Sequence, residues 1–187
     1  QHPNDTLILV TADHETGGLG IGYKTTNYDT FLTNLTKQTV SYAKFDTDYV
    51  TRYRAEKTPF ESVLADVKNC FGLMTASDPD AAANSTLVLT DYELDQIRTA
   101  YERTLNVGAA GQGDMSQQDY ELYGTYQPFS MALCHVLNHK SGLDHTTYAH
   151  TGAPVNIYAM GVGAEEFQGA FDNTEIFHKL AELTNVK

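Results

Sequence analysis

Asp13 and His14 are adjacent residues whose side chains could bind a metal ion together. A carboxylate supplies a hard oxygen ligand and an imidazole a borderline nitrogen ligand, a combination that suits zinc. Neighbouring residues of a regular strand point to opposite faces, so both side chains can reach one ion only where a strand ends. Gly17 and Gly18 follow closely, and we expect the chain to turn there. The spacing therefore predicts a metal site at a strand end, although an Asp-His pair alone is also common in ordinary polar turns.

The element that must position this pair is the apolar run Leu7–Val10. Four residues are too few for a helix, and their branched side chains are typical of a buried strand. In open α/β sheets, ligands bind beyond the carboxyl ends of strands, where loops vary while the sheet holds them. We therefore predict a buried strand that ends at the metal-binding pair.

Two longer strings place the pair in a known context. Residues 6–18, TLILVTADHETGG, closely resemble the metal-binding strand and loop of the alkaline phosphatases, in the form typical of bacterial members. Residues 150–176, HTGAPVNIYAMGVGAEEFQGAFDNTEI, resemble that family's closing segment, including the His-Thr-Gly that carries a zinc-binding histidine. The two strings occur in the family's order, and their separation is ordinary for it. By this resemblance the sequence is identified as a member of the family.

The resemblance implies a hydrolase of phosphate monoesters that works through a phosphoserine intermediate, with two zinc ions about 4 Å apart and a magnesium ion. Carried over by motif, Asp13 and His14 would bind one zinc ion and His150 the other. These ligands should then face a common cavity, with ligating atoms roughly 4–8 Å apart. Glu15 and Thr16 would either orient the ligands through hydrogen bonds or simply belong to the turn.

Several parts of the family's site have no counterpart in the sequence. The serine nucleophile, the phosphate-gripping arginine, the magnesium ligands and the remaining zinc ligands all lie upstream in the family, so no catalytic nucleophile is assigned here. Each zinc would keep one or two protein ligands, whereas a catalytic zinc needs about three. The chain starts at Gln1 and enters a strand almost at once. We therefore expect a C-terminal fragment of a longer enzyme, inactive by itself.

The composition is that of a globular protein that does not bind nucleic acid. Of 187 residues, 41% are hydrophobic and 19% are charged, which is sufficient for a packed core. With a formal net charge of −12, the chain has no excess of positive charge that could neutralise the phosphate backbone of a nucleic acid. No secretory signal or membrane-spanning run is evident. The resemblance places the parent protein in the periplasm or at the cell surface, and a homodimer is the assembly considered for it.

A second set of potential ligands consists of Cys134, His135, His139 and His145. His135 and His139 would share one helical face, which could suggest a small zinc site. No glutamate follows His135 as in the HExxH motif, which argues against a zincin-type protease. We favour a core position for Cys134 and ordinary helical positions for the histidines. The sequence leaves open whether Cys134 pairs with Cys70.

The fold class expected from patterns and resemblance together is α/β, the C-terminal part of an alkaline phosphatase-like three-layer sandwich with a mainly helical insertion. We expect a single partial domain over 1–187, divided into a metal-binding strand and loop (1–25), the insertion (26–141) and a second metal-binding strand with a terminal helix (142–187). Capping boxes and apolar spacing predict helices over residues 28–37, 58–72, 90–105 and 128–139 and from residue 172 onward. Strands are predicted at 86–89, 144–150 and 155–160, an irregular or weakly helical stretch at 38–57, and a flexible loop at 107–113.

Two other interpretations stay open at this point. A phosphodiesterase, a sulfatase or a cofactor-independent phosphoglycerate mutase would share the fold and the metal core. A non-catalytic scaffold or binding module would need no nucleophile at all. The TADHETGG and HTG strings favour the phosphatase over the other enzymes.

Overall fold

A computed structural model of the chain describes residues 2, 4–106 and 115–186. Contacts divide the chain into two compact units. The terminal unit comprises Gln1–Gly18 and Ala149–Lys187, and the helical unit comprises Leu19–Tyr148. Both units combine helices with short strands, and the predicted α/β class is confirmed.

The terminal unit contains a two-stranded antiparallel sheet. Strand β1, Leu7–Val10, pairs with strand β4, Tyr158–Gly161, in a register that sets Leu7 opposite Gly161 and Val10 opposite Tyr158. Because the strands run in opposite directions, the chain leaving β1 lies beside the chain entering β4. The terminal helix α7, Thr174–Thr184, follows a short 3₁₀ helix at Ala164–Phe167.

Strand β1 forms where the apolar run predicts it, but the expectation that it is buried was wrong. The exposed fractions are 46% for Ile8 and 58% for Val10, and the alternate residues Leu7 and Leu9 are half-buried. In the part of the chain that the structure describes, β1 has a hydrogen-bonded neighbour on one edge only. A strand with one neighbour leaves much of each side chain in contact with solvent.

The helical unit carries most of the secondary structure. Strand β2, Gly20–Ile21, pairs with strand β3, Leu143–Asp144, so that the two ends of the unit meet. Its helices are α1 Tyr42–Phe45, α2 Thr51–Glu56, α3 Phe60–Phe71, α4 Asp91–Asn106, α5 Gln117–Tyr123 and α6 Pro128–Ser141, with 3₁₀ helices at Leu32–Lys37 and Ala81–Leu87.

Local capping signals located three of these helices. The predicted capping box at α4 forms, since the Glu93 N–H donates to Thr90 Oγ1 at 3.2 Å and the Thr90 N–H donates to Glu93 Oε2 at 2.8 Å. Helix α6 ends at Gly142, whose φ of 78° lies in the left-handed region, as glycine at a helix end allows. Helix α3 also forms, but Pro59 rather than Thr58 precedes it, without a side-chain cap.

Other sequence predictions in this unit were wrong. The stretch 38–57 was predicted to be irregular or weakly helical, but residues 42–56 form continuous helix, with a π turn at Asp46–Val50 between α1 and α2. The π turn places the buried Phe45 and Val50 five positions apart, which breaks the 3.6-residue spacing by which a helix is detected. Residues 86–89 contribute a single bridge between Met74 and Val88, and 145–150 form no strand. Helix α5 was not predicted, and the loop at 107–113 lies outside the described residues.

The core of the helical unit is built around aromatic side chains. Phe129 is fully buried, and its ring centroid lies 4.8 Å from that of Tyr101 and 5.9 Å from that of Phe45. The Phe129 N–H donates to the buried Thr104 Oγ1 at 3.0 Å, which ties the start of α6 to α4. None of the helices in the described part of the chain combines the length and the apolar character that a membrane span requires.

Candidate metal centre

The antiparallel pairing of β1 with β4 builds the site from two segments distant in sequence. Asp13 and His14 follow the end of β1, and His150 lies in the segment that leads into β4. The Thr11 hydroxyl donates to the Asn156 carbonyl at 3.0 Å and joins the two segments beyond the sheet. The strand predicted over 144–150 does not carry His150, because residues 145–150 form no strand and His150 lies eight residues before β4.

The structure brings Asp13, His14 and His150 together in the terminal unit. The imidazole rings of His14 and His150 stack with their centroids 3.4 Å apart and an interplanar angle of 19°. His14 Nε2 lies 3.3 Å from Asp13 Oδ2. The Asp13 side chain is 85% exposed and the His14 side chain 38% exposed, so both can be reached from solvent.

Hydrogen bonding fixes which nitrogen of His14 is available to a metal. His14 Nδ1 lies 2.6 Å from the backbone carbonyl oxygen of Glu15. A carbonyl oxygen only accepts hydrogen bonds, so Nδ1 carries the proton, and in the neutral ring Nε2 has the free lone pair. That lone pair and the Asp13 carboxylate then converge on one position, which suits a cation. This donor set fits zinc.

Glu15 connects the two segments through its carboxylate. Oε2 accepts the Gly18 N–H at 2.5 Å, and Oε1 accepts the N–H of Thr151, the residue after His150. Burial works to raise the pKa of Glu15, but the hydrogen bonds from Thr151 and Gly18 and the nearby His150 outweigh it and hold that pKa below its usual value. Thr16 is exposed, and its side chain makes no hydrogen bond to any residue that the structure describes.

Gly17 and Gly18 permit this arrangement. Their φ angles are 74° and 65°, two consecutive left-handed conformations that a residue with a Cβ adopts only at a cost. The resulting turn directs the Gly18 N–H back to the Glu15 carboxylate three residues earlier. The turn predicted from the glycine pair is therefore present.

A cleft of about 670 Å³ adjoins these residues. Asp13, His14 and Glu15 line one part of it, and the segments 151–157 and 169–173 line the rest. Among the described residues, no group of three or more His, Cys, Asp or Glu side chains is arranged to hold one metal ion. Zinc commonly takes three or four protein ligands, so neither predicted site is complete within the described part of the chain.

Comparison with known proteins decides the family. The family model for alkaline phosphatase matches residues 1–186. The chain belongs to the alkaline phosphatase family. It is 26% identical to alkaline phosphatase 4 and 27% identical to alkaline phosphatase 3 of Bacillus subtilis (strain 168), in each case over 91% of this chain and 28% of the relative. A crystal structure of a cold-active alkaline phosphatase from the psychrophile Shewanella sp. matches with a TM-score of 0.62 and 27% identity.

The alkaline phosphatase match extends over almost all of this chain but only part of each relative. The match to the Shewanella structure covers 97% of this chain and 34% of that chain. The chain thus spans about 28% of the length of the two Bacillus relatives. The match thus shows membership of the alkaline phosphatase family over a part of the length of its relatives.

The second set of potential ligands in this alkaline phosphatase chain has a different environment. Cys134 is a partly buried free thiol, and burial raises its pKa to about 12, so the metal-binding thiolate is scarce at neutral pH. His139 stacks on Tyr23 at 3.9 Å, and its Nε2 lies 3.1 Å from Asp144 Oδ1. Cys70 is also free, so the two cysteines do not pair. These contacts agree with packing roles.

His135 supplies a testable pH dependence. Burial, followed by the neighbouring His139, lowers the pKa of His135 to about 4. The unfolded chain therefore binds a proton at this residue below its ordinary pKa of about 6.5, and the folded chain binds it only near pH 4. Neutral His135 favours folding above about pH 6.5, and this contribution is lost as the pH falls toward 4.

We expect His135→Gln to reduce the loss of stability of the helical unit between pH 7 and pH 5 by about 2 kcal/mol. Urea unfolding followed by far-ultraviolet circular dichroism at several pH values measures this difference. His178→Gln at an exposed position of α7 is the matched control and should leave the slope unchanged. Equal pH slopes for the unaltered chain and His135→Gln would contradict the assignment of a half-buried neutral imidazole.

Proposed function

We propose that this chain supplies part of the two-zinc centre of an alkaline phosphatase, in which Asp13 and His14 bind one zinc ion and His150 the other. The observation that carries the proposal is the juxtaposition of the His14 and His150 rings, 3.4 Å apart, beside the Asp13 carboxylate. Family membership supports phosphate monoesters as the substrates of the complete protein. The cleft of about 670 Å³ is large enough for a phosphate group and its substituent.

Zinc, when bound, would polarise a phosphoryl oxygen and lower the pKa of a coordinated water. The chain's own residues would prepare its binding. The Glu15 carbonyl keeps the proton of His14 on Nδ1 and leaves Nε2 for the metal. The Asp13 carboxylate adds negative charge beside that nitrogen. In the complete enzyme, hydrolysis would pass through a phosphoserine intermediate, with magnesium as a further metal whose ligands lie outside this chain.

We further propose that residues 1–187 are inactive by themselves. The relatives are more than three times as long as the part that matches here. The resemblance assigns the nucleophile, the phosphate-binding arginine and further zinc ligands to the part that does not match. Placement outside the cytoplasm follows from the family's usual location and forms part of the same proposal.

Zinc titration of the chain tests the metal assignment. We expect millimolar Zn²⁺ to shift the ring resonances of His14 and His150 in NMR spectra saturably, whereas micromolar Zn²⁺ should not bind stoichiometrically, because each site lacks ligands. His178, which is exposed on α7, should respond weakly and serves as the internal reference. Absence of any selective shift at His14 and His150 would contradict the assignment.

The same preparation tests the inactivity. Hydrolysis of p-nitrophenyl phosphate by the chain should not exceed that of a blank with matched metal ions. Steady turnover that copurifies with the chain and disappears in His14→Ala would show that the chain carries more of the catalytic machinery than we propose.

A further inference from the structure

We propose that Glu15 is a positioning residue, whose carboxylate holds the loop that carries Asp13 and His14 against the loop that carries His150. The inference rests on the proposed metal centre and adds to it a residue that sets the geometry between the two zinc positions. Glu15 follows His14 directly, and its hydrogen-bond partner Thr151 follows His150 directly. One side chain thus joins the residues next to both histidines.

The contacts of the carboxylate support a role in orienting the loops that carry the ligands. Each of its oxygens already accepts one backbone N–H, from Thr151 at Oε1 and from Gly18 at Oε2. Hydrogen bonds from N–H groups to an ionised carboxylate are roughly twice as strong as those between neutral groups. The carboxylate is therefore committed to two segments of backbone that are 133 residues apart (151 − 18).

The backbone of the same residue orients the nearer ligand. The Glu15 carbonyl accepts from Nδ1 of His14 at 2.6 Å and leaves Nε2 facing Asp13. Glu15 therefore acts on His14 through its carbonyl and on the His150 loop through its side chain. The stacking of the two rings at 3.4 Å is the geometry that these contacts together maintain.

The chemistry of the contacts requires a carboxylate of this length. Glutamine has the same shape, but its NH₂ group would face one of the two N–H donors and lose that hydrogen bond. Aspartate keeps two acceptor oxygens but is one methylene shorter, so it cannot span both backbone segments without a shift. Glu15→Gln is therefore the most specific substitution, because it changes one acceptor into a donor at constant size.

The experiment compares the unaltered 187-residue chain with Glu15→Gln and with Glu165→Gln. Glu165 is an exposed glutamate of the same unit, so its substitution removes the same charge without the contacts. We expect the nuclear Overhauser effect between the His14 and His150 ring protons to be present in the unaltered chain and in Glu165→Gln. In Glu15→Gln it should be lost, while circular dichroism shows the same secondary structure in all three proteins.

Zinc affinity supplies a second readout that a purely structural role would leave unchanged. In a titration with Zn²⁺ alone, Glu15→Gln should bind about 10-fold to 100-fold more weakly than the unaltered chain, the usual effect of losing a partner that orients a ligand. Glu165→Gln should stay within about twofold of the unaltered chain. If the unaltered chain binds no zinc but Glu15→Gln loses the ring contact, the metal centre is contradicted and the positioning role stands.

Two results would overturn the positioning role. The first is a ring contact that persists in Glu15→Gln. The second is rapid solvent exchange of the Thr151 amide in the unaltered chain, because an N–H held by a carboxylate is protected. The second measurement needs no variant and decides the question even if Glu15→Gln does not fold.

Discussion

Replacement of His150 by alanine is expected to reduce zinc-dependent phosphatase activity at least about 100-fold in an enzyme that contains this chain's metal centre. Loss of a residue that merely orients a ligand already costs metal affinity about 10-fold to 100-fold, and loss of the ligand itself should cost more. The ring of His150 stacks directly on that of His14, so no other described side chain replaces it there without a rearrangement. His14→Ala should have an effect of similar size.

A suitable enzyme is a chimera in which residues 1–187 replace the matched 34% of the Shewanella alkaline phosphatase chain. Hydrolysis of p-nitrophenyl phosphate would be measured in zinc-containing buffer, with bound zinc quantified for each variant. His178→Ala is the matched control, since it removes an exposed imidazole of the same unit. An active chimera that keeps its activity and its zinc after His150→Ala would refute the role of His150.

Substitution of Phe129 by alanine should destabilise the helical unit by about 3–5 kcal/mol. Phe129 is fully buried, and its ring packs edge-on against Tyr101 at 4.8 Å and beside Phe45 at 5.9 Å. Removal of the ring leaves a cavity between α1, α4 and α6 that these neighbours can fill only in part. The expected loss combines the lost apolar burial with the cost of that cavity.

Urea unfolding followed by circular dichroism measures this loss, because most of the helical signal comes from the helical unit. Tyr92→Ala is the matched control, since that ring is 72% exposed, and its effect should stay within about 0.5 kcal/mol. A change of less than about 1 kcal/mol for Phe129→Ala would show that the aromatic core repacks around the gap.

The two predictions concern separate units and should be independent. Phe129→Ala acts on the core of the helical unit, and the proposed metal ligands belong to the terminal unit. The changes that Zn²⁺ causes in the NMR ring resonances of His14 should therefore persist in Phe129→Ala, under conditions where the helical unit remains folded. Measuring both zinc binding and urea unfolding in His150→Ala and in Phe129→Ala distinguishes a local loss of ligands from general unfolding.

The sequence by itself determined the family and those helices whose ends carry strong local signals. The capping box of α4 and the glycine after α6 involve residues only a few positions apart, so both can be recognised in the sequence. The string TADHETGG likewise places Asp13 and His14 directly after β1, and the structure keeps them there. These features depend on interactions between residues that are close in the chain.

Only the tertiary structure decided how Asp13, His14 and His150 come together. The antiparallel register of β1 with β4 brings His150 to His14. Residues so far apart in the chain form no short sequence pattern from which their contact could be predicted. The same holds for the hydrogen bond that the Thr151 N–H donates to the Glu15 carboxylate, since the two residues are 136 positions apart in the sequence. The π turn between α1 and α2 was not predicted for a related reason, since its extra residue changes the spacing of the apolar side chains from that of a regular helix. Local capping can be predicted from sequence because its partners are neighbours, whereas pairing register depends on segments that meet only after folding.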